Sequence, residues 1–229
     1  IDYGPCAFMD HYEANKVFSS IDRNGRYAYQ NQPFIAHWNM AGLAQTLIPL
    51  IDGDADKAIE LAQEAVNRFP GLYTEYYTNR FREKLGLYTV DADDPTLIQA
   101  LLSSMEEYHA DFTLVFRSLS NETCDNLESQ FSNPQAIEPW IEQWQERQQQ
   151  ESLPEAERQQ LMRQRNPAYI PRNHRIEEAI QEAVSNNNYK LFNNLHTILK
   201  NPFAAQPEHL AYRNPPLPEE AVTQTFCGT

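Results

Sequence analysis

The chain has 229 residues, of which 41% are hydrophobic and 11% aromatic, the composition of one large globular domain or two small ones. A formal net charge of −14 repels phosphate backbones and anionic headgroups, which argues against nucleic acid and membrane surfaces as partners. No apolar run approaches the roughly 20 residues that a membrane-spanning helix requires, and three cysteines (Cys6, Cys124, Cys227) suit a reducing, cytoplasmic setting better than a disulfide scaffold.

The sequence opens at Ile1 inside an apparent strand, with no basic and apolar leader, and reads as a piece of a longer protein. Residues 11–32 are polar and irregular, with a turn signal at Asp22-Arg23-Asn24-Gly25. Pro33 then starts a helix. From Phe34 to Ile51 this helix is apolar on nearly every side, which predicts a buried axis for the domain, with His37 and Asn39 satisfied inside the core. Asp52-Gly53-Asp54 is a turn with too few ligand positions for a calcium loop.

An amphipathic helix follows over 55–69 on Ile59, Ala62, Val66 and Phe69, stopped by Pro70-Gly71. A Tyr-rich helix, Leu72 to Leu85, ends at Gly86. Its aromatics are read as half-buried packing with wet hydroxyls. Asp94 is the expected N-cap of the next helix, with Pro95 at its first position. From Leu97 to Leu119 apolar residues recur at steps of three and four, a single long core-facing stripe. Helical faces recur at Ile137, Trp140, Ile141 and Trp144, from Leu153 to about Arg165, at Ile176 to Val184, and at Leu191 to Leu199. The last two are separated by Asn186-Asn187-Asn188. The Gln-rich run 145–150 is read as a solvated helix end or linker, and the Pro-rich tail from Ala204 as a surface wrap or a partly mobile end. The fold class is therefore mainly α, with one short β segment at the N-terminus. Three regions are expected: 1–32, a helical body over 33–203, and a tail over 204–229.

Chemistry is concentrated in the first residues. In Ile1-Asp2-Tyr3-Gly4 an apolar residue runs into a carboxylate, an aromatic and a glycine, the pattern of the magnesium-binding Asp-Phe-Gly segment of protein kinases. A carboxylate is a hard oxygen ligand suited to a divalent ion that bridges nucleotide phosphates. The same triplet is also an ordinary turn after a strand. No zinc spacing, phosphate-binding glycine loop, nucleophile elbow or dinucleotide fingerprint accompanies it.

Six segments together carry a resemblance. They are Ile-Asp-Tyr-Gly-Pro (1–5), Gly-Arg-Tyr-Ala-Tyr-Gln-Asn-Gln-Pro (25–33), Trp-Asn-Met-Ala-Gly-Leu-Ala-Gln-Thr-Leu (38–47), Lys-Leu-Gly-Leu (84–87), Asp-Phe-Thr-Leu-Val-Phe-Arg-Ser-Leu-Ser (111–120) and Asn-Pro-Ala-Tyr-Ile-Pro-Arg-Asn-His (166–174). In this order and spacing the chain resembles the selenoprotein O family. The resemblance implies the helical C-lobe of a protein-kinase-like fold. It also implies transfer of AMP from ATP to Ser, Thr or Tyr hydroxyls of protein substrates, supported by Mg²⁺ or Mn²⁺. Asp2 falls on the family's metal ligand and is the one candidate site residue, for metal and for nucleotide. The catalytic base is expected upstream of Ile1, so the fragment is expected to be inactive alone. Two departures stand out. Gly42 replaces an Arg common among relatives, leaving either a lost anchor or closer helix packing. Residues 11–32 hold no cysteine to pair with Cys227, although Cys6 is a conceivable substitute. The competing reading is a non-catalytic pseudokinase lobe that binds other proteins through its Gln-rich region, Glu142 to Gln160.

Overall fold

The computed structural model describes residues 8–121 and 127–224. Asp2 and the β segment expected around it, and all three cysteines, lie outside the described residues. The chain divides into two units, residues 14–80 in one and residues 1–13 with 81–229 in the other.

In the smaller unit the predicted turn forms as read. Both carboxylate oxygens of Asp22 accept backbone N–H groups, from Arg26 and Tyr27 at 2.8 Å each, and Gly25 takes a positive φ of 62°. Helix α1 spans Gln32–Ile51 with a proline in its first turn, where the missing N–H costs nothing. Helix α2 spans Ala55–Asn67. Asp54 caps it by accepting from Asp56 N at 3.0 Å and Lys57 N at 3.3 Å. The face of α2 that is buried is made of small residues, Ala58 and Ala62, and it packs on α1.

The expectation of α1 as a buried axis fails. Only Ile35 is buried, while Phe34 is 70%, Trp38 59% and Leu50 81% exposed. Within the unit α2 covers one side of a helix that is apolar all round. His37 and Asn39 do not satisfy one another in a core. The His37 ring stacks on Phe69 at 5.6 Å with its Nε2 unpartnered, and Asn39 is exposed. Stacking continues from Phe69 to Tyr73 and on to Tyr77. Burial, then a hydrogen bond with Tyr77 working the other way, leave the Tyr29 hydroxyl above its ordinary pKa. At Gly42 a Cβ would meet nothing within 4 Å, which disposes of closer packing as the reason for glycine there.

Pro70-Gly71 does not simply stop α2. It forms the first turn of α3, Phe69–Leu85, which carries the boundary between the units.

The larger unit continues with α4 (Asp94–Glu107), α5 (Phe112–Leu119), α6 (Glu138–Gln148), α7 (Glu155–Arg165), α8 (Asn173–Asn186) and α9 (Lys190–Leu199). Its core joins Leu101, Leu102 and Met105 of α4, Phe116 of α5, Trp140 and Trp144 of α6 and Met162 of α7. Each buried indole donates to a backbone carbonyl: Trp140 Nε1 to Leu97 O in the first turn of α4 and Trp144 Nε1 to Leu85 O at the end of α3, both at 2.9 Å. Gly86 ends α3 with a φ of 72°, and Asn187 ends α8 with a φ of 50°, as the Asn triplet predicts.

The single stripe from Leu97 to Leu119 is two helices. The chain breaks at His109, whose φ is 52°, and restarts where Asp111 caps α5 by accepting from Leu114 N at 2.8 Å. Asp94 is not an N-cap. It is buried, and Arg147 Nε donates to its Oδ1 at 2.8 Å. Two side chains of the larger unit hold backbone carbonyls after residue 204: Tyr169 donates from its hydroxyl to Gln206 O at 2.7 Å, and Arg172 from Nε to Arg213 O at 2.9 Å.

Candidate functional site

Asp2, the one site residue named from sequence, lies outside the described residues. The structure does show how the chain downstream of it, residues 10–12, is fastened. Residues 10–12 run antiparallel to 110–112 through an isolated bridge between His11 and Asp111. Tyr12 N donates to Ala110 O at 3.0 Å and Phe112 N to Asp10 O at 2.8 Å. Met9 and Tyr12 are buried, and the Tyr12 ring stacks on Phe112 at 6.0 Å. The break between α4 and α5 creates this edge: one short stretch of extended chain exposes backbone groups for the incoming segment to pair with.

Beneath the bridge sits Arg172, only 1% exposed. Its Nη1 donates to Asp111 Oδ2 at 2.8 Å and its Nη2 to Asp111 Oδ1 at 3.2 Å, a bidentate pair. Nη1 also donates to Asp10. Burial works against the charge, but hydrogen bonds with Asp111 and the attraction of both carboxylates hold the guanidinium above its ordinary pKa. Beside it His174 is buried with neither ring nitrogen partnered. Burial, then the charge of Arg175, push its pKa below the usual histidine value, so it is neutral at pH 7.

Two further cations were not singled out by sequence reasoning. Lys84 lies over the rings of Phe116 at 4.8 Å and Phe112 at 5.5 Å, and donates to Asn166 Oδ1 at 3.0 Å. Burial lowers its pKa to about 8. Arg117 has carbonyls for partners. Its Nη1 reaches Asn166 O at 2.9 Å, Phe203 O at 3.1 Å and Arg163 O at 3.3 Å. Asn166 is itself buried and donates to Lys84 O at 2.8 Å and to Ser120 Oγ at 2.9 Å. The sequence signal was present in the form of polar residues at fixed places within apolar runs. What it lacked was the partner of each.

Among the described residues no group of three His, Cys, Asp or Glu side chains could hold a metal ion. Asp10, the described carboxylate nearest in sequence to Asp2, is taken by Arg172. The described donors therefore make no metal centre. Among the described residues no helix is long and apolar enough to cross a membrane.

Comparison with known proteins gives one consistent result. A sequence model of the family described as protein adenylyltransferase SelO matches residues 1–200. Proteins named protein nucleotidyltransferase YdiU are similar along the whole chain. That of Rhizobium meliloti is 48% identical over 234 residues and that of Bradyrhizobium diazoefficiens 48% over 233, each with 100% of this chain and 48% of the relative covered. That of Bacillus cytotoxicus is 44% identical over 229 residues, with 100% of this chain and 46% of the relative covered. The chain spans about half the length of the curated relatives it matches. With the family match running from the first residue to residue 200, the chain belongs to the SelO family of protein adenylyltransferases.

Proposed function

We propose that this chain is the helical lobe of a kinase-like protein adenylyltransferase, which moves AMP from ATP to Ser, Thr or Tyr hydroxyls of other proteins. The acceptor oxygen forms a bond to the α-phosphorus, the bond to the β-phosphate oxygen breaks, pyrophosphate leaves, and the hydroxyl proton passes to a base outside these 229 residues. Asp2 is assigned as a carboxylate ligand for the Mg²⁺ or Mn²⁺ that accompanies the nucleotide, which supplies charge neutralisation at the phosphates. The observation that supports the reading most is the family match across residues 1–200, which contains the Asp2-Tyr3-Gly4 segment. Besides the role assigned to Asp2, the part of the described residues is mechanical: Arg172, Asp10 and Asp111 fasten the chain eight residues downstream of Asp2 to the α4–α5 corner.

The test uses the full-length protein, ATP labelled at either the α- or the γ-phosphate, and Mg²⁺ or Mn²⁺. Label is expected on protein side chains from the α position and not from the γ position. Asp2→Ala is expected to abolish it with the fold intact, and the isolated 229-residue chain to transfer none. Transfer of γ-label would make the protein a kinase. Full activity in Asp2→Ala would remove that carboxylate from the mechanism.

A further inference from the structure

The Gln-rich run that the nucleotide reading leaves unused lines a cavity of about 300 Å³ in the larger unit, between α6 and α7. This is the small end of the range for ligand pockets. One part of its wall is apolar and buried, from Leu119, Trp144 and Met162, and amides come from Gln145, Gln149 and Gln159. Arg158 also lines it, at 8% exposure. Its Nη1 donates to Gln148 O at 2.9 Å, and its Nε is buried with no acceptor. No carboxylate pairs with it. Glu155 on the same cavity accepts from Gln159 Nε2 at 3.0 Å instead. Arg147 and Arg172, also buried in this unit, are paired with carboxylates, Asp94 and Glu151 for the first and Asp10 and Asp111 for the second, whereas Arg82, Arg175 and Arg213 share with Arg158 a buried Nε without an acceptor but do not line this cavity.

A buried guanidinium with one edge free is costly unless something occupies that edge. The Nε–Nη2 edge presents two parallel N–H donors, the spacing that fits the two oxygens of a carboxylate. We infer that this cavity binds a small organic carboxylate, held side-on by the free edge of Arg158, with its apolar body against Trp144 and Met162.

The site is tested on the 229-residue chain with benzoate as the probe, followed through the indole N–H resonance of Trp144 and assigned with Trp144→Phe. The reading is binding and not AMP transfer, so it stands or falls apart from the proposed activity. A saturable shift of the Trp144 signal is expected, with inorganic phosphate binding more weakly than benzoate. Arg158→Gln is expected to weaken benzoate by about tenfold or more, the loss typical of a hydrogen bond to a charged group. Arg158→Lys, which keeps the charge but not the two-donor edge, is also expected to weaken it, and is the deciding variant if Arg158→Gln does not fold. The assignment is overturned if the wild-type chain shows no saturable shift with benzoate well into the millimolar range. It is equally overturned if phosphate binds more tightly than benzoate, or if either folded Arg158 variant binds as the wild type does.

Discussion

Replacing Arg172 by Met leaves a similar volume and removes the charge beneath the N-terminal segment. Asp111 then stays buried, with one oxygen still capping α5 through Leu114 N and no cation opposite. Asp10 loses the same partner but retains 24% side-chain exposure, so water relieves much of its cost. The penalty therefore comes mainly from Asp111, and breaking a buried pair from one side costs about 3–5 kcal/mol. Against a total stability of about 5–15 kcal/mol this is a large share. Urea denaturation of Arg172→Met measures it, and hydrogen exchange at the Tyr12 and Phe112 amides locates it, since both donate across the junction that Arg172 supports. Those two amides are expected to exchange faster than the α4 core. Adding Asp111→Asn removes the stranded charge, so the double variant is expected to lose about 1–3 kcal/mol less than the sum of the single variants. A loss below about 1 kcal/mol in Arg172→Met, or strict additivity with Asp111→Asn, refutes the argument that this ion group holds the segment down.

Three other outcomes follow from local geometry. Gly86→Ala places a Cβ 2.6 Å from Met162 Sδ on a backbone with φ of 72°, and is expected to cost about 2–4 kcal/mol in thermal melts. Gly42→Ala meets nothing within 4 Å in a helix interior and is expected to stabilise by about 0.5–1 kcal/mol. Lys84 has its pKa lowered by burial to about 8 from 10.5. Below pH 8 it is charged in both states and the native chain bears the cost of burying it. Between pH 8 and 10.5 the unfolded chain holds more protons, so the stability of the native protein relative to Lys84→Met is expected to rise with pH, by on the order of 3 kcal/mol across the window. A flat difference in unfolding free energy over that range would show that Lys84 is solvated.

Helix positions were legible because their causes are local. Asp54 precedes α2, Pro33 and Pro95 sit in first turns, and Asn187 follows α8, each within a few residues of the end it marks. Coverage was not legible. The apolar run of α1 says that a surface needs burial, and nothing in the run says what is available to cover it. The α4–α5 break was hidden because the apolar steps of three and four continue through it. The only local sign was Asp111 standing three residues before Leu114, a cap in the middle of an apolar stripe. The ion group around Arg172 was out of reach altogether, since its partners are 61 and 162 residues away in sequence.

Three of the six segments that carry the family resemblance meet in the larger unit as a framework and not as a reactive centre. Lys84 and Gly86 come from the segment 84–87, Asp111 and Arg117 from 111–120, and Asn166 and Arg172 from 166–174. In space Asn166 ties Lys84 to Ser120, Arg117 gathers the carbonyls of Asn166 and Phe203, and Arg172 joins Asp111 to Asp10. Each of these cations or amides serves backbone groups that a loop leaves unpaired or a carboxylate buried at a helix start. Apolar substitutes would fill the volume but leave those groups unsatisfied, at about 1–3 kcal/mol apiece. Recognisable spacing in these three segments thus has a physical origin in loops that must be held at fixed positions, among them the chain at Asp10 that Arg172 ties to Asp111.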